Sequence, residues 1–106
     1  MWIDLESEEQ LKLIQSRSFE QPVIIFKHST RCGTSSMIKS RLERSDVPEG
    51  YEFYYLDLIR YRSVSNQIAA LFKVEHASPQ VLLIRNGECV YDESHMAIRM
   101  EELVEQ

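Results

Sequence analysis

Cys32 and Ser35 stand three residues apart in a Cys-x-x-Ser arrangement, after an apolar segment and a short polar turn. The segment Val23–Phe26 predicts a buried strand, and residues 31–45 predict a helix. At or near the first turn of a helix, free backbone N–H groups and the helix dipole favour a thiolate over a thiol. Because the thiolate is the nucleophile, Cys32 is a candidate catalytic residue, and the Ser35 hydroxyl could donate to its sulfur. A buried, unreactive cysteine is an equally acceptable interpretation of this position alone.

Basic side chains lie close to this cysteine in the sequence. Arg31 is adjacent, and Lys27 and His28 come a few residues earlier, so all three are candidates to favour the thiolate. Residues 27–44 contain five basic side chains and one acidic one, whereas the other 88 residues contain seven basic and 16 acidic ones. This segment predicts either a positive rim that attracts an anionic thiol or an ordinary solvated helix face. His28 is also a candidate general base, or a strand-end residue with a structural hydrogen bond.

Length and composition restrict the class of protein. The 106 residues suit a single domain, 1–106, and the hydrophobic fraction of 43% is enough for one packed core. A net charge of −5 argues against a nucleic-acid binder, which needs basic groups to neutralise phosphates. The apolar runs are too short to cross a membrane, and the acidic first residues do not resemble a secretory signal. We therefore expect a cytoplasmic protein with reduced thiols, and the spacing of its two cysteines predicts neither a disulfide framework nor a metal site.

The remaining sequence predicts alternating helices and strands. Ser7-Glu8-Glu9-Gln10 fits a capping box that opens a helix ending near Ser18. Later elements are a strand at 51–58, an amphipathic helix, a strand at 81–84 and a return strand at 88–92, with Asn86-Gly87 as the hairpin turn. Three helices carry apolar positions that we expect to face the core: Met37, Ile38 and Leu42; then Val64, Ile68, Leu71 and Phe72; then Met96, Met100, Leu103 and Val104.

The order of these elements predicts an α/β fold. Residues 22–58 form a strand–helix–strand unit, so its two strands should be parallel, and the last two strands form an antiparallel hairpin. The expected architecture is a mixed central sheet of about four strands with helices on both faces.

This arrangement resembles the thioredoxin fold. The resemblance covers about residues 21–106 and includes Cys-x-x-Ser at a helix start, Ser78-Pro79 before a strand, and an Asn-Gly hairpin; residues 1–20 would be an N-terminal helical extension. The stretch Phe26–Cys32, followed by Gly-Thr-Ser, most resembles the YtxJ-like family of monothiol bacilliredoxins. The Phe-Lys-His-Ser lead-in is the most specific part of the match. At positions 33 and 34, where that family often has a proline and an aliphatic residue, this chain has Gly and Thr.

The resemblance implies a monothiol thiol–disulfide oxidoreductase that uses no cofactor. In that family the single cysteine, here Cys32, attacks a mixed disulfide between a client protein and bacillithiol, a low-molecular-weight thiol. The client is released reduced, and the enzyme keeps the small thiol until another thiol resolves it. Bacillithiol carries a malyl group, which would suit a basic rim. The implied partners are therefore S-thiolated client proteins and the small thiol.

The resemblance also assigns positions around the nucleophile. Ser35 stands where a dithiol enzyme has its resolving cysteine. Pro79 would be the cis-proline beside the active site, and the backbone of Ser78 would pair with the substrate. Phe26 occupies the position of the buried carboxylate of thioredoxins, so that proton acceptor is missing here. Three further positions are expected to bind substrate: Arg31, Gly33 and Thr34.

The second cysteine, Cys89, is not expected to resolve the mixed disulfide. In this topology the active site lies at the Pro79 end of the hairpin, and the Asn86-Gly87 turn lies roughly 23 Å away. A disulfide needs Cα atoms within about 7 Å. Cys89, just past the turn, is therefore interpreted as an incidental strand residue.

Two other functions remain open. Cys32–Ser35 differs at one position from the Cys-Gly-Phe-Ser motif of monothiol glutaredoxins, and Pro79-Gln80-Val81 also looks glutaredoxin-like, which suggests an iron–sulfur cluster carrier. However, Val90–Glu93 stands where glutaredoxins have the Gly-Gly-Asp stretch that anchors glutathione. The third possibility is a redox-silent adaptor on the same fold, because a fold does not by itself imply a function.

Overall fold

Five strands form one mixed sheet in the computed structural model, which describes residues 2–105. In chain order they are β1 (Trp2–Asp4), β2 (Val23–His28), β3 (Glu52–Asp57), β4 (Gln80–Arg85) and β5 (Glu88–Ser94). Their order across the sheet is β1-β3-β2-β4-β5. β3 is parallel to β1 and β2, whereas β4 is antiparallel to β2 and β5. β2 is therefore the central strand, and its carboxyl end meets the start of β4.

Within the described residues, four α-helices cover the two faces of this sheet. They are α1 (Glu8–Arg17), α2 (Gly33–Glu43), α3 (Arg62–Phe72) and α4 (Met100–Val104), and a 3-10 turn at His95–Ala97 precedes the last. α1 and α3 pack against one face, and α2 and α4 against the other. α1 opens on the predicted capping box, in which Ser7 and Gln10 each accept a hydrogen bond from the other's backbone N–H.

β2 is buried along its whole length because helices cover it on both faces. Its side chains alternate between the two cores, so that Ile25 lies in the core with α1 and α3 while Phe26 lies in the core with α2 and α4. The alternation continues into the last two residues, which are polar. Lys27 consequently points toward α3, and His28 points toward α2.

The predicted topology of the site region is confirmed. β2, α2 and β3 form a parallel crossover unit, and β4 and β5 form an antiparallel hairpin. The hairpin turns at Asn86-Gly87, whose φ angles of 52° and 79° are left-handed values that asparagine and glycine tolerate. Three of the four apolar positions expected to line α3 are buried, and the fourth, Leu71, is partly buried against the same core.

The prediction of about four strands missed β1, and the part of the expected N-terminal extension that the structure describes, residues 2–20, contributes a strand to the sheet and a helix to the core. Trp2 pairs with Phe53 in the register of β1 and β3, and its ring stacks on that of Phe53 with centroids 4.6 Å apart. In α1, Leu11 and Ile14 are fully buried in the core. A three-residue strand is too short to show the two-residue periodicity by which strands are recognised in a sequence.

Two methionines that were expected to face inward are exposed. Met37 in α2 is 58% exposed, because Ile38 and Leu42, four residues apart, define the buried face instead. Met96 is 48% exposed because the predicted last helix is interrupted. The 3-10 turn that carries Met96 is followed by extended backbone at Ile98 and Arg99, and α4 begins only at Met100.

Candidate active site

Cys32 is the N-cap residue of α2, at the junction between β2 and the helix. Its backbone is extended (φ −111°, ψ 122°), and its sulfur makes no capping hydrogen bond. A turn that follows β2 brings it there, with the Cys32 N–H donating to the Ser29 carbonyl at 3.2 Å. The side chain is partly exposed, while Gly33 and Thr34 begin the helix beside it. The junction thus presents a thiol at the positive end of a helix with access to solvent.

Ser35 lies one turn along α2 and is fully buried. Its Oγ is 2.8 Å from Nδ1 of His28 and accepts a hydrogen bond of 3.0 Å from the Ser29 N–H. Burial lowers the pKa of His28, and the nearby Lys39 ammonium lowers this pKa further. The structure therefore brings together three predicted site residues, the cysteine, the serine and the histidine, at one end of β2.

Pro79 lies at the same end of the sheet. Gln80 pairs with Lys27 across β2 and β4, so the residue before Gln80 stands at the carboxyl end of β2. The Ser78–Pro79 peptide bond is cis, and the Pro79 carbonyl accepts a 3.0 Å hydrogen bond from the His95 N–H. The Gln80 side chain also donates to the Glu75 carbonyl at 2.9 Å, which fixes the loop before Pro79.

Lys27 is fully buried and belongs to a different cluster from His28. Its Nζ is 3.3 Å from Nδ1 of His76 and 3.4 Å from the Ser65 carbonyl, on the α3 side of the sheet. Burial lowers the pKa of Lys27 to about 8. Burial likewise lowers the pKa of His76, and Lys27 adds to this effect. Lys27 thus contacts the loop that leads to Pro79.

The positive rim is smaller than the sequence indicates. Lys27 is inside the core, and Arg41 donates two 3.0 Å hydrogen bonds to the carbonyls of Met96 and Ile98. Lys39 lies 3.9 Å from a Glu43 oxygen and over the ring of Tyr55. Arg31, next to the cysteine, is exposed.

Three polar residues around the site were missed in the sequence: the partly buried Ser29 and the buried Ser65 and Gln80. Each contacts a predicted site residue or the loop before Pro79. The sequence does give a signal for the burial of Gln80. This residue directly precedes the apolar run of β4, and the first residue of a buried strand is itself buried. No sequence signal identifies Ser65, whose backbone carbonyl makes the contact with Lys27.

Cys89 lies at the opposite end of the sheet. It pairs with Ile84 beside the hairpin turn, and its thiol donates to the Tyr91 carbonyl at 3.3 Å. Burial raises the pKa of this thiol to about 11. The register therefore separates it from Pro79 by the length of β4.

Residues 2–105 contain neither a metal-binding group of side chains nor a helix suited to cross a membrane. No three histidine, cysteine, aspartate or glutamate side chains group in a way that could hold a metal ion. Across the same residues, no helix has the length and apolar character that a membrane crossing requires.

Comparison with known structures defines the class of protein. A thioredoxin-fold protein described as a candidate oxidoreductase is 28% identical, with a TM-score of 0.83 over 98% of this chain and 91% of that one. Thioredoxin of Malassezia sympodialis (Mala s 13) is 18% identical, with a TM-score of 0.76 over 99% and 86%. Thioredoxin of Fasciola hepatica is 20% identical, with a TM-score of 0.73 over 97% and 93%. The fold is thus that of thioredoxin.

The fold and the family together define a thiol oxidoreductase. The family model of the monothiol bacilliredoxin BrxC matches residues 3–103. The chain belongs to the monothiol bacilliredoxin family.

Proposed function

We propose that this protein is a monothiol thiol–disulfide oxidoreductase in which the Cys32 thiolate removes bacillithiol from mixed disulfides on client proteins. The Cys32 sulfur attacks the sulfur of the small thiol, a new disulfide forms on Cys32, and the client cysteine leaves as a thiolate. The observation that carries the proposal is the position of Cys32 at the N-cap of α2, with no capping hydrogen bond from its sulfur.

The surroundings of Cys32 support a nucleophile rather than a structural cysteine. Free N–H groups of the first helical turn and the helix dipole favour negative charge at this position. Ser35 is buried beneath the turn and is held by polar contacts, as expected for a residue that replaces a resolving cysteine. Without a thiol at that position, the reaction stops at the mixed disulfide and waits for an external thiol.

The substrate would lie between Cys32 and the loop that ends at Pro79. The backbone of Ser78 is the group proposed to pair with the bound disulfide. Arg31 is exposed beside the cysteine, where it can attract the carboxylates of a malyl group. Gly33 and Thr34, at the start of α2, complete the proposed contact surface. We propose that the protein acts in the cytoplasm, on S-thiolated client proteins and without a cofactor.

Replacement of each cysteine tests this proposal. We expect Cys32→Ser to reduce the release of bacillithiol from a client to the uncatalysed rate, because it removes the nucleophile. The matched control is Cys89→Ser, which should keep full activity since its thiol lies at the other end of the sheet. The measurements are client release and intact mass after exposure to the disulfides of bacillithiol, glutathione and cysteine. Equal loss in both variants, or an adduct on Cys89 alone, contradicts the proposal.

A further inference from the structure

His28 and Ser35 form a buried polar pair beneath the start of α2. Their relative exposures are 4% and 0%, and Nδ1 of His28 is 2.8 Å from the serine Oγ. The Ser29 N–H donates to the same oxygen at 3.0 Å. Because the two side chains are shielded from bulk water, the protons shared between Nδ1 and the serine Oγ are expected to occupy specific hydrogen bonds.

The hydrogen-bonding capacity of Ser35 leaves two arrangements. A serine hydroxyl has one proton and two lone pairs, and the Ser29 N–H uses one of those lone pairs. When Nδ1 of His28 carries no proton, it accepts the serine proton. When Nδ1 carries a proton, it donates to the second lone pair, and the serine proton is then available for another acceptor.

The Cys32 sulfur is the candidate for that acceptor. Cys32 is the N-cap residue of α2 and Ser35 is the third residue of the helix, and side chains at these two positions lie close together, as in a capping box. A thiolate is a charged acceptor, and hydrogen bonds to charged groups are stronger than those between neutral groups. The direction of the serine proton therefore affects how well the thiolate is stabilised.

We propose that His28 is a positioning residue that directs the Ser35 hydroxyl: a proton on Nδ1 turns this hydroxyl toward the Cys32 sulfur. This inference deepens the proposed function and rests on it, because it concerns the same nucleophile. In the exchange step, the bond from Cys32 to the small thiol forms as the bond from the client to the small thiol breaks. The client sulfur leaves with the electron pair, and neither His28 nor Ser35 gains or loses a proton in that step.

The charged and titratable groups that face His28 come from two elements. Lys39 and Glu43 belong to α2, and Tyr55 and Asp57 belong to β3. Burial is the main effect that lowers the pKa of His28, and Asp57 opposes it. Protonation of His28 therefore falls in the acid range, where the doubly protonated ring always carries a proton on Nδ1.

The test is the pH profile of iodoacetamide alkylation at Cys32, measured in a Cys89→Ala background. With His28 and Ser35 both present, we expect a second inflection in the acid range. Below it, the alkylation rate should be about tenfold higher than the rate extrapolated from a single titration. Ser35→Ala should remove the inflection while leaving the imidazole in place. His28→Phe, which keeps a ring of similar size, should remove it as well.

Two results would overturn the proposal. An inflection that persists in Ser35→Ala means that the imidazolium charge acts on Cys32 directly, and a single titration in the parent protein means that His28 has no influence. Alkylation requires neither a client nor bacillithiol, so its pH profile tests the role of His28 independently of the proposed function. The absence of a bacillithiol adduct would reject the proposed function and would leave the pH profile valid.

A second measurement uses the protein without substitutions, so it does not depend on whether a variant folds. Imidazole ¹⁵N NMR identifies which ring nitrogen of His28 carries the proton. Blocking Cys32 with iodoacetamide removes the thiolate acceptor, so we expect the ring to shift toward the form with the proton on Nε2. An unchanged tautomer after blocking contradicts the coupling.

Discussion

The two ends of the central strands bury different kinds of groups. At the end where β2 meets α2, the buried side chains are polar: Lys27, His28, Ser35 and Gln80. At the end where β4 enters the hairpin, the buried side chains of the strands are apolar, as Val23 and its partner Ile84 illustrate, and Ser18 beside the turn is a buried polar exception. Burial of polar groups costs stability unless they are paired, so a fold does not collect them at one end for stability alone. Their concentration beside Cys32 agrees with the active site proposed at this end of the sheet.

The two cysteines follow the same division. Cys32 caps a helix at the polar end and has a sulfur without a capping contact. Cys89 is at the apolar end, where burial raises its pKa and its thiol is held by a backbone carbonyl. The comparison shows that the position in the fold, rather than the residue type, separates a candidate nucleophile from an inert thiol.

The largest expected effect is at the apolar end. Ile84→Ala removes a fully buried side chain, and we expect a loss of about 2–5 kcal/mol in the free energy of unfolding. Ile84→Val is the matched control, with an expected loss of about 0.5–1.5 kcal/mol. Urea unfolding measures both, and a loss below that of the valine variant would show that this end is not close-packed.

At the polar end, replacing a buried side chain is expected to increase the free energy of unfolding rather than lower it. The pKa of Lys27 falls from 10.5 to about 8 on folding. Below pH 8 the lysine is protonated in both states, and the folded protein bears the full cost of the buried charge. Between pH 8 and 10.5 only the unfolded state keeps the proton, so stability rises with pH. Above pH 10.5 both states are neutral, and the cost is absent.

Lys27→Met, which keeps the length of the side chain, should therefore stabilise the protein at pH 7. From the shift in pKa, the expected gain is on the order of 3 kcal/mol. This gain should shrink as the pH rises through the window from 8 to 10.5. Urea unfolding of both proteins at pH 7 and pH 10.5 measures it, and a gain that does not depend on pH would show that packing, not charge, is responsible.

The smallest of these effects concerns the reactivity of Cys89. A rise in pKa from 9.0 to about 11 lowers its thiolate fraction about 100-fold at pH 8. In Cys32→Ser, we expect iodoacetamide to react with Cys89 about 100-fold more slowly than it does with the same variant unfolded in urea. Mass spectrometry over time measures the rates. Similar rates in the folded and the unfolded protein would show that burial does not suppress the reactivity of Cys89, which contradicts the proposed difference between the two cysteines.

Much of the candidate site could be predicted because its signals are local. An apolar run followed by a polar turn and a helix is enough to place Cys32 at a helix start. Proline before a central strand and Asn-Gly after it are equally local, and they fixed the hairpin that carries Pro79.

The parts that could not be predicted depend on contacts distant in sequence. β1 is a strand only because β3 accepts it as a partner, with Trp2 opposite Phe53. Lys27 was grouped with the surface charges, yet β2 runs two residues beyond its apolar part and carries the lysine into the core. The interruption before α4 follows a left-handed His95, a conformation that its sequence does not signal.

The attachment of α1 to the hairpin turn has a consequence for motion. The Ser18 carbonyl accepts the Asn86 N–H at 2.9 Å, and the Ser18 hydroxyl accepts the Gly87 N–H at 2.8 Å. The tips of hairpins are usually among the first parts of a domain to open locally. Here both amides of the tip are held, so opening it requires the end of α1 to move as well. The fluctuations of β4 are consequently restrained at the end farthest from Pro79.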